Sequence, residues 1–144
     1  MMREILFTAK RKDNGEWVEG DLLHPDIEIN CDYCIEEINK AKRNNCYEID
    51  VETLCQYTGL KDINGKKIFE GDIVKSEYSS NRVVRYGLYD IQCCGCCYDS
   101  HQSVGFYLYN PKKGIRYAIT QAEDAWDDLE VIGNIFDTPE LLEV

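Results

Sequence analysis

No run of apolar residues in this sequence approaches the roughly 20 that a membrane-spanning helix needs, so no helical membrane anchor is expected. The amino end, Met1-Met2-Arg3-Glu4-Ile5-Leu6-Phe7-Thr8, is too short and too early charged to act as a secretory signal. A phosphate-binding loop, a nucleophile elbow and a dinucleotide-binding fingerprint are all missing, and there are two histidines, His24 and His101. These absences remove the common enzyme classes, and a non-enzymatic protein is expected. Basic charge is also scarce: 16 Lys and Arg stand against 27 Asp and Glu, a net charge of −11. A field of that sign repels phosphate backbones and anionic membranes, so neither direct nucleic-acid binding nor membrane binding is expected. With no internal repeat and no low-complexity linker, the 144 residues read as a single domain, 1–144. A chain of this length can bury a core without disulfides or metal. With no export signal, a reducing cytoplasm is expected, with the eight cysteines as thiols or metal ligands.

What the sequence does contain is tight-turn chemistry between short stretches of period-2 alternation. Ile5, Phe7 and Ala9 fall on one side of a first strand. Asp13-Asn14-Gly15 then supplies a turn, because Asn and Gly accept positive φ, and residues 16–23 form the return strand with Trp17 near its start. Residues 25–45 carry two periodicities. Ile27, Ile29, Cys31, Tyr33 and Ile35 alternate as in a strand, whereas Cys34, Ile35, Ile38, Ala41 and Lys42 fall at helical spacing behind Asp32 as an N-cap. The reading taken is strand to about Glu36, then a polar loop over 40–45. A strand through Tyr47, Ile49 and Val51 and a helical turn over 50–54 follow. Asp62-Ile63-Asn64-Gly65 is a second hairpin turn, leading through Glu70-Gly71 into a strand at Asp72-Ile73-Val74. Further strands are expected over 82–91, 104–109, 115–120 and 129–136, the first of them central because it is apolar on both faces. One helical turn over 122–128 carries Trp126, and Pro139 opens a closing turn. The fold class is therefore mostly β: a small barrel or sandwich with added hairpins and a few short helical turns.

Three ordered blocks carry a resemblance. Gln56-Tyr57-Thr58-Gly59-Leu60, the Asn64-Gly65 turn and Glu70-Gly71-Asp72-Ile73-Val74 form the middle one. Met2-Arg3-Glu4-Ile5 precedes it, and Val131-Ile132-Gly133-Asn134-Ile135-Phe136 with Pro139-Glu140-Leu141-Leu142 closes the chain. Together they resemble the YopX-like family of bacteriophage and prophage proteins. The resemblance implies a mostly β domain with an SH3-like barrel portion and a tendency to oligomers, and it carries no catalytic residue. It divides the domain into an amino-terminal hairpin region 1–55, a barrel-like core 56–136 and a closing turn 137–144. Cys55 departs from the family pattern, where a glycine is usual, as does the cysteine-rich middle.

Candidate sites are few. Gln56, Tyr57 and Thr58 form a polar and aromatic cluster able to recognise a partner, or alternatively Tyr57 packs inward while the others satisfy a turn. Cys93-Cys94-Gly95-Cys96-Cys97 holds two overlapping C-x-x-C pairs, and Cys31-Asp32-Tyr33-Cys34 is a third. Two such knuckles could hold tetrahedral zinc, although roughly sixty residues separate them and zinc ribbons use about 15–20. A zinc site over Cys31, Cys34, Cys93, Cys94, Cys96 and Cys97 competes with packed thiols, and no cofactor is required. His101 could join a cysteine or simply face solvent. The acidic run Glu123, Asp124, Asp127, Asp128 and Glu130 lacks calcium-loop spacing and reads as a solvated face. The short basic clusters at 10–12, 40–43 and 112–113 read as local balance to the acid.

The expected role is that of a phage or prophage accessory protein acting through a protein partner. The alternatives are an acidic modulator of a nucleic-acid-handling protein and a zinc-binding module. Self-association is expected too, because strands such as 104–109 are apolar on both faces beyond what one small barrel can cover.

Overall fold

The computed structural model describes residues 4–28, 30, 32–37, 45–77, 79–91, 101–118 and 128–143. The chain forms two compact units, Met1–Gly59 and Leu60–Val144.

In the first unit, β1 (Phe7–Lys10) and β2 (Trp17–Leu23) pair as an antiparallel hairpin, with Phe7 opposite Gly20 and Lys10 opposite Trp17. Gly15 takes φ 71° in the intervening turn, which is why an Asn-Gly step sits there. β3 (Cys34–Glu37) pairs with β2, and β4 (Asn45–Glu48) pairs with β3. A 3-10 turn at Val51–Thr53 is capped by the Asp50 carboxylate, which accepts the Glu52 N–H. The Thr53 hydroxyl accepts the Lys10 N–H at 2.8 Å while donating to the Asp50 carbonyl at 2.7 Å, so the turn is fastened to β1. β5 (Cys55–Lys61) then returns beside β1, with Phe7 opposite Gln56. Alternation sends Val18 of β2 inward to a core of Ala9, Val18, Ile35 and Ile49, flanked by Phe7, Leu22, Tyr33, Tyr47 and Leu54.

The expected strand over 27–36 is shorter than its alternation suggests. Ile27 and Glu28 form a turn in which the Asp26 carboxylate accepts the Glu28 N–H, Ile27 is 96% exposed, and Asn30 takes φ 51°. Local side-chain bonding has won over apolar spacing there, and the strand begins only at Cys34. Asp32 caps no helix; its carboxylate accepts the Tyr33 N–H. Most of the loop expected over 40–45 lies outside the described residues, and its last residue, Asn45, opens β4.

The second unit takes up β5 from Leu60. After the 62–65 turn come β6 (Lys67–Phe69), β7 (Asp72–Ser76), β8 (Ser79–Ile91), β9 (His101–Asn110), β10 (Ile115–Ala118) and β11 (Glu130–Asn134). A 3-10 turn at Pro139–Leu142 carries the expected Pro at its start. The sheet runs β10-β9-β8-β7-β11, all antiparallel, so β8 is central as its two apolar faces required. Its core is Ile68, Val74, Val84, Leu108 and Leu129.

The mostly β class holds. The other ladder order, β4-β3-β2-β1-β5-β6, also ends on open edges, and neither sheet closes into the expected SH3-like barrel among the described residues. Instead of a closing ladder, the 62–65 turn meets β11 through individual bonds: Ile63 N–H donates to Leu129 O at 3.0 Å, and Val131 N–H to the Asp62 carboxylate at 3.0 Å. The helical turn expected over 122–128 lies outside the described residues except for Asp128.

Candidate functional site

β8 and β9 stay in register from Val83 opposite Tyr109 to Ile91 opposite His101, without a bulge. Alternation therefore gives the ribbon two chemically distinct sides. One side begins in the core at Val84 and Leu108 and runs outward through half-buried Phe106. It ends on Tyr86, Leu88 and Val104, which are 55%, 53% and 60% exposed. Tyr86 lies opposite Phe106 and meets its ring edge-on at 5.1 Å, while Leu88 lies opposite Val104. These four side chains carry no charge in a chain of net charge −11.

The other side carries arginine and tyrosine. The Arg85 guanidinium lies 4.4 Å from the ring centre of Tyr109, and that of Arg116, on β10, lies 5.5 Å from that of Tyr107. Arg116 also donates to the Leu88 carbonyl at 2.7 Å, tying β10 across to β8. Tyr89 and Tyr107 are buried with ring centres 6.0 Å apart. Between them Gly87 lies opposite Gly105, and each tyrosine covers the glycine of the other strand. A Cβ on Gly87 would stand 3.8 Å from the Tyr107 ring, and one on Gly105 3.7 Å from the Tyr89 ring. An aromatic ring laid over a strand glycine supplies the packing that the glycine lacks.

Arg82 of β8 is buried beneath this unit's surface. Its guanidinium sits 5.3 Å from the Tyr117 ring centre and reaches the Ser76 hydroxyl at a long 3.5 Å, and its Nε has no partner among the described residues. Burial lowers its pKa, partly offset by Tyr117.

Two carboxylates shape the turns beside the ribbon. Asp62, 7% exposed, accepts three backbone N–H groups, from Asn64, Lys66 and Val131. Burial pushes its pKa up, but those bonds and nearby Lys66 outweigh it and hold the carboxyl below its usual range. Asp72 behaves oppositely. Burial raises its pKa to about 6, with Asp62 adding to the effect, although it accepts the Phe69 N–H at 2.8 Å.

The residues singled out from sequence fall elsewhere. Gln56, Tyr57 and Thr58 lie in β5, not in a turn, and Tyr57 packs inward as the second of the two readings has it. Tyr57 and Thr58 are buried, Gln56 is half-buried, and the Tyr57 N–H donates to the Leu6 carbonyl. Gly65 takes φ 78° in its turn, and Gly59 takes φ 88° within β5. Of the cysteines proposed for zinc, Cys34 is a buried thiol donating to the Asp32 carbonyl. Cys31, Cys93, Cys94, Cys96 and Cys97 lie outside the described residues. Among the described residues no three His, Cys, Asp or Glu side chains gather closely enough to hold a metal ion.

His24 packs edge-on against Tyr33 at 5.7 Å. His101 ends the β8–β9 ladder. Of the acidic run, Asp128 is exposed and Glu130 meets Lys75 at 3.6 Å; Glu123, Asp124 and Asp127 lie outside the described residues. Arg11 pairs with Asp13 and stacks on Tyr47, Lys12 bridges Asp32 and Glu48, and Lys10 lies over the Trp17 ring at 5.5 Å, so this basic cluster is spent on local partners. Sequence reading missed the paired glycines. Their signal was Tyr86-Gly87-Leu88-Tyr89 set against Gly105-Phe106-Tyr107, two strands each placing aromatics around one glycine.

No helix among the described residues is long and apolar enough to cross a membrane. The profile of a family described as YopX protein matches residues 6–143. No curated protein matches the chain. Among solved structures, the crystal structure of protein EF1440 from Enterococcus faecalis is similar, with 21% identity, 98% of this chain and 99% of that one covered, and a TM-score of 0.52. At that identity the likeness speaks to the fold alone.

Proposed function

The chain belongs to the YopX protein family, and from that membership we propose that it is a non-enzymatic accessory protein of a phage or prophage, working in the bacterial cytoplasm by binding protein. The observation that carries this reading is the exposed, uncharged end of the β8–β9 ribbon at Tyr86, Leu88 and Val104. Aromatic and aliphatic side chains held rigidly on a strand pair lose little freedom on binding, and depletion of charge marks the centres of protein contact surfaces. The acidic surroundings favour a protein over a nucleic acid as the partner. The SH3-like arrangement implied by the family stays part of this proposal, for the second unit, supported by the bonds from the 62–65 turn to Leu129 and Val131.

The test is affinity capture from lysogenic cells with the native chain and with Leu88→Glu and Val104→Glu, both at exposed positions. A stoichiometric protein partner, whether another protein or an untagged copy, that is retained by the native chain and lost by the variants supports the reading. Equal recovery by all three, or recovery by none, overturns it.

A further inference from the structure

We propose that the arginine side of β8, β9 and β10, with the turn joining β9 to β10, is a docking surface for an acidic segment of a partner protein. The proposal rests on the reading that the chain works by binding protein. It names the chemistry of the partner at the side of the ribbon opposite the apolar one.

The first observation is a concentration of unpaired positive charge. Arg85 and Arg116 lie on this side, and Lys112 and Lys113 stand in the β9–β10 turn. All four are exposed, and none forms an ion pair among the described residues. The basic cluster at 10–12 is held by its own neighbours, whereas the lysines at 112–113, expected to balance local acid, pair with none of it. By register, the positions on this side from Val83 to Tyr89, from Ser103 to Tyr109 and at Arg116 include no carboxylate. The chain holds 27 of them, so this face stands apart from the rest.

The second is that these cations are held in place. Tyr109 supports the Arg85 guanidinium at 4.4 Å, and Tyr107 supports that of Arg116 at 5.5 Å. A ring occupies one face of a guanidinium and leaves its N–H edge free to meet a carboxylate in two parallel bonds. Arg116 is fixed further by donating to the Leu88 carbonyl. The side-chain oxygen of buried Asn110 accepts the Lys112 and Lys113 N–H groups at 3.0 and 3.3 Å, and its amide donates to the Ser80 hydroxyl. The turn carrying the lysines is thereby anchored to β8. Groups ordered in advance lose little freedom on binding.

The third is the contrast between this face and the whole chain. A net charge of −11 repels an anionic partner everywhere else, and at physiological salt only charges within roughly 8 Å act strongly. A short run of carboxylates fits within such a patch. The phosphates of a nucleic acid would continue past it onto acidic surface.

Titration of the native chain with an acetylated hexaglutamate peptide, followed by NMR, tests this. At about 0.05 M salt the expected Kd is on the order of 0.1–1 mM, weakening at least about tenfold at about 0.5 M. Hexaglutamine should not bind. Shifts should fall on the Nε–H groups of Arg85 and Arg116 and on the amides of 107–116. Arg85→Gln and, separately, the paired change Lys112→Gln with Lys113→Gln should each weaken binding about fivefold or more. Lys12→Gln, which removes one positive charge elsewhere, should weaken it less than about twofold. The lysine pair lies in an exposed turn, so its variant keeps the test intact should Arg85→Gln fail to fold.

No hexaglutamate binding at low salt overturns the proposal. So does binding that the natively folded Arg85→Gln and lysine variants leave unchanged. Tighter binding of a six-nucleotide oligothymidylate through the same residues makes nucleic acid the occupant and overturns the acidic segment. If a partner captured from cells is lost by Leu88→Glu but kept by the lysine variant, the chain remains a protein binder and this face falls alone. If hexaglutamate binds here as expected but no partner is captured, this face stands and the wider reading falls.

Discussion

The carboxylate of Asp62 accepts the backbone N–H of Val131 at 3.0 Å, joining points sixty-nine residues apart in the chain. Its other oxygen takes the N–H groups of Asn64 and Lys66 at 2.9 and 2.8 Å, so one side chain both closes its own turn and holds β11. Asp62→Ala leaves these donors facing a methyl group and should cost roughly 2–4 kcal/mol in urea unfolding. The pH signature follows from the depressed pKa. The folded carboxyl titrates below the ordinary 3.8, so its stabilisation is present above about pH 4 and is lost as pH falls through the folded value. The alanine variant should lack that acid limb.

Asp72 should tilt the curve the other way. Its folded pKa, about 6, lies above the ordinary 3.8, so the folded state holds the proton more tightly than the unfolded chain. Stability is fully present below about pH 4 and declines as pH rises through 6, by on the order of 2–3 kcal/mol. Asp72→Asn keeps an oxygen for the Phe69 N–H and removes the titration. Unfolding measured between pH 4 and 7 should therefore be flatter in this variant than in the native chain, and its advantage should grow with pH.

The opposed glycines should respond unequally to the same methyl group. Gly87 has φ 154°, a backbone angle that L residues rarely adopt, whereas no such angle constrains Gly105. Gly87→Ala should lose about 1–2 kcal/mol to backbone strain. Gly105→Ala meets only ordinary contact at 3.7 Å from Tyr89 and should be neutral or gain up to about 1 kcal/mol by restricting the unfolded chain. Thermal unfolding of the two variants, side by side, checks the ordering.

Gly20 is required by a close approach instead of an angle. A Cβ there would collide with the Glu36 carbonyl oxygen and come within 3.1 Å of the Glu37 Cα, all backbone of the neighbouring β3. Neither strand can yield without breaking the β2–β3 pairing. Gly20→Ala should cost about 2–3 kcal/mol and expose the amides of 34–37 to hydrogen exchange.

Where turn chemistry and alternation agree, the sequence already reads as the structure does. Asn14-Gly15 and Asn64-Gly65 mark turns whose glycines take positive φ, and the alternation on either side of Asn14-Gly15 places Ala9 and Val18 in one core. The two signals conflict at 25–33, and at the described residues there alternation does not decide the backbone. Ile27 and Tyr33 keep the period of a strand, yet Asp26 binds the Glu28 N–H and the chain turns. Apolar spacing cannot report which nearby donor a short carboxylate will capture. At Gln56-Tyr57-Thr58 the inward-packing alternative is the one seen for Tyr57, whereas the turn expected of its neighbours is not. Polar residues beside a glycine suggest a loop, but pairing with β1, a contact across some fifty residues of chain, makes them strand. The exposed face was half legible: excess apolar positions in 104–109 were visible, whereas their division between a covered tyrosine side and an open aliphatic side needed the register of β8.

That division also guards the hairpin against slippage. If β9 slid by one residue along β8, Val104 and Phe106 would turn to the arginine side, and Tyr107 would swing away from Gly87. Each mispaired ribbon forfeits both its ring-on-glycine stacking and its arginine caps, so the growing strand pair has one register to find during folding and little incentive to template onto a stranger's edge.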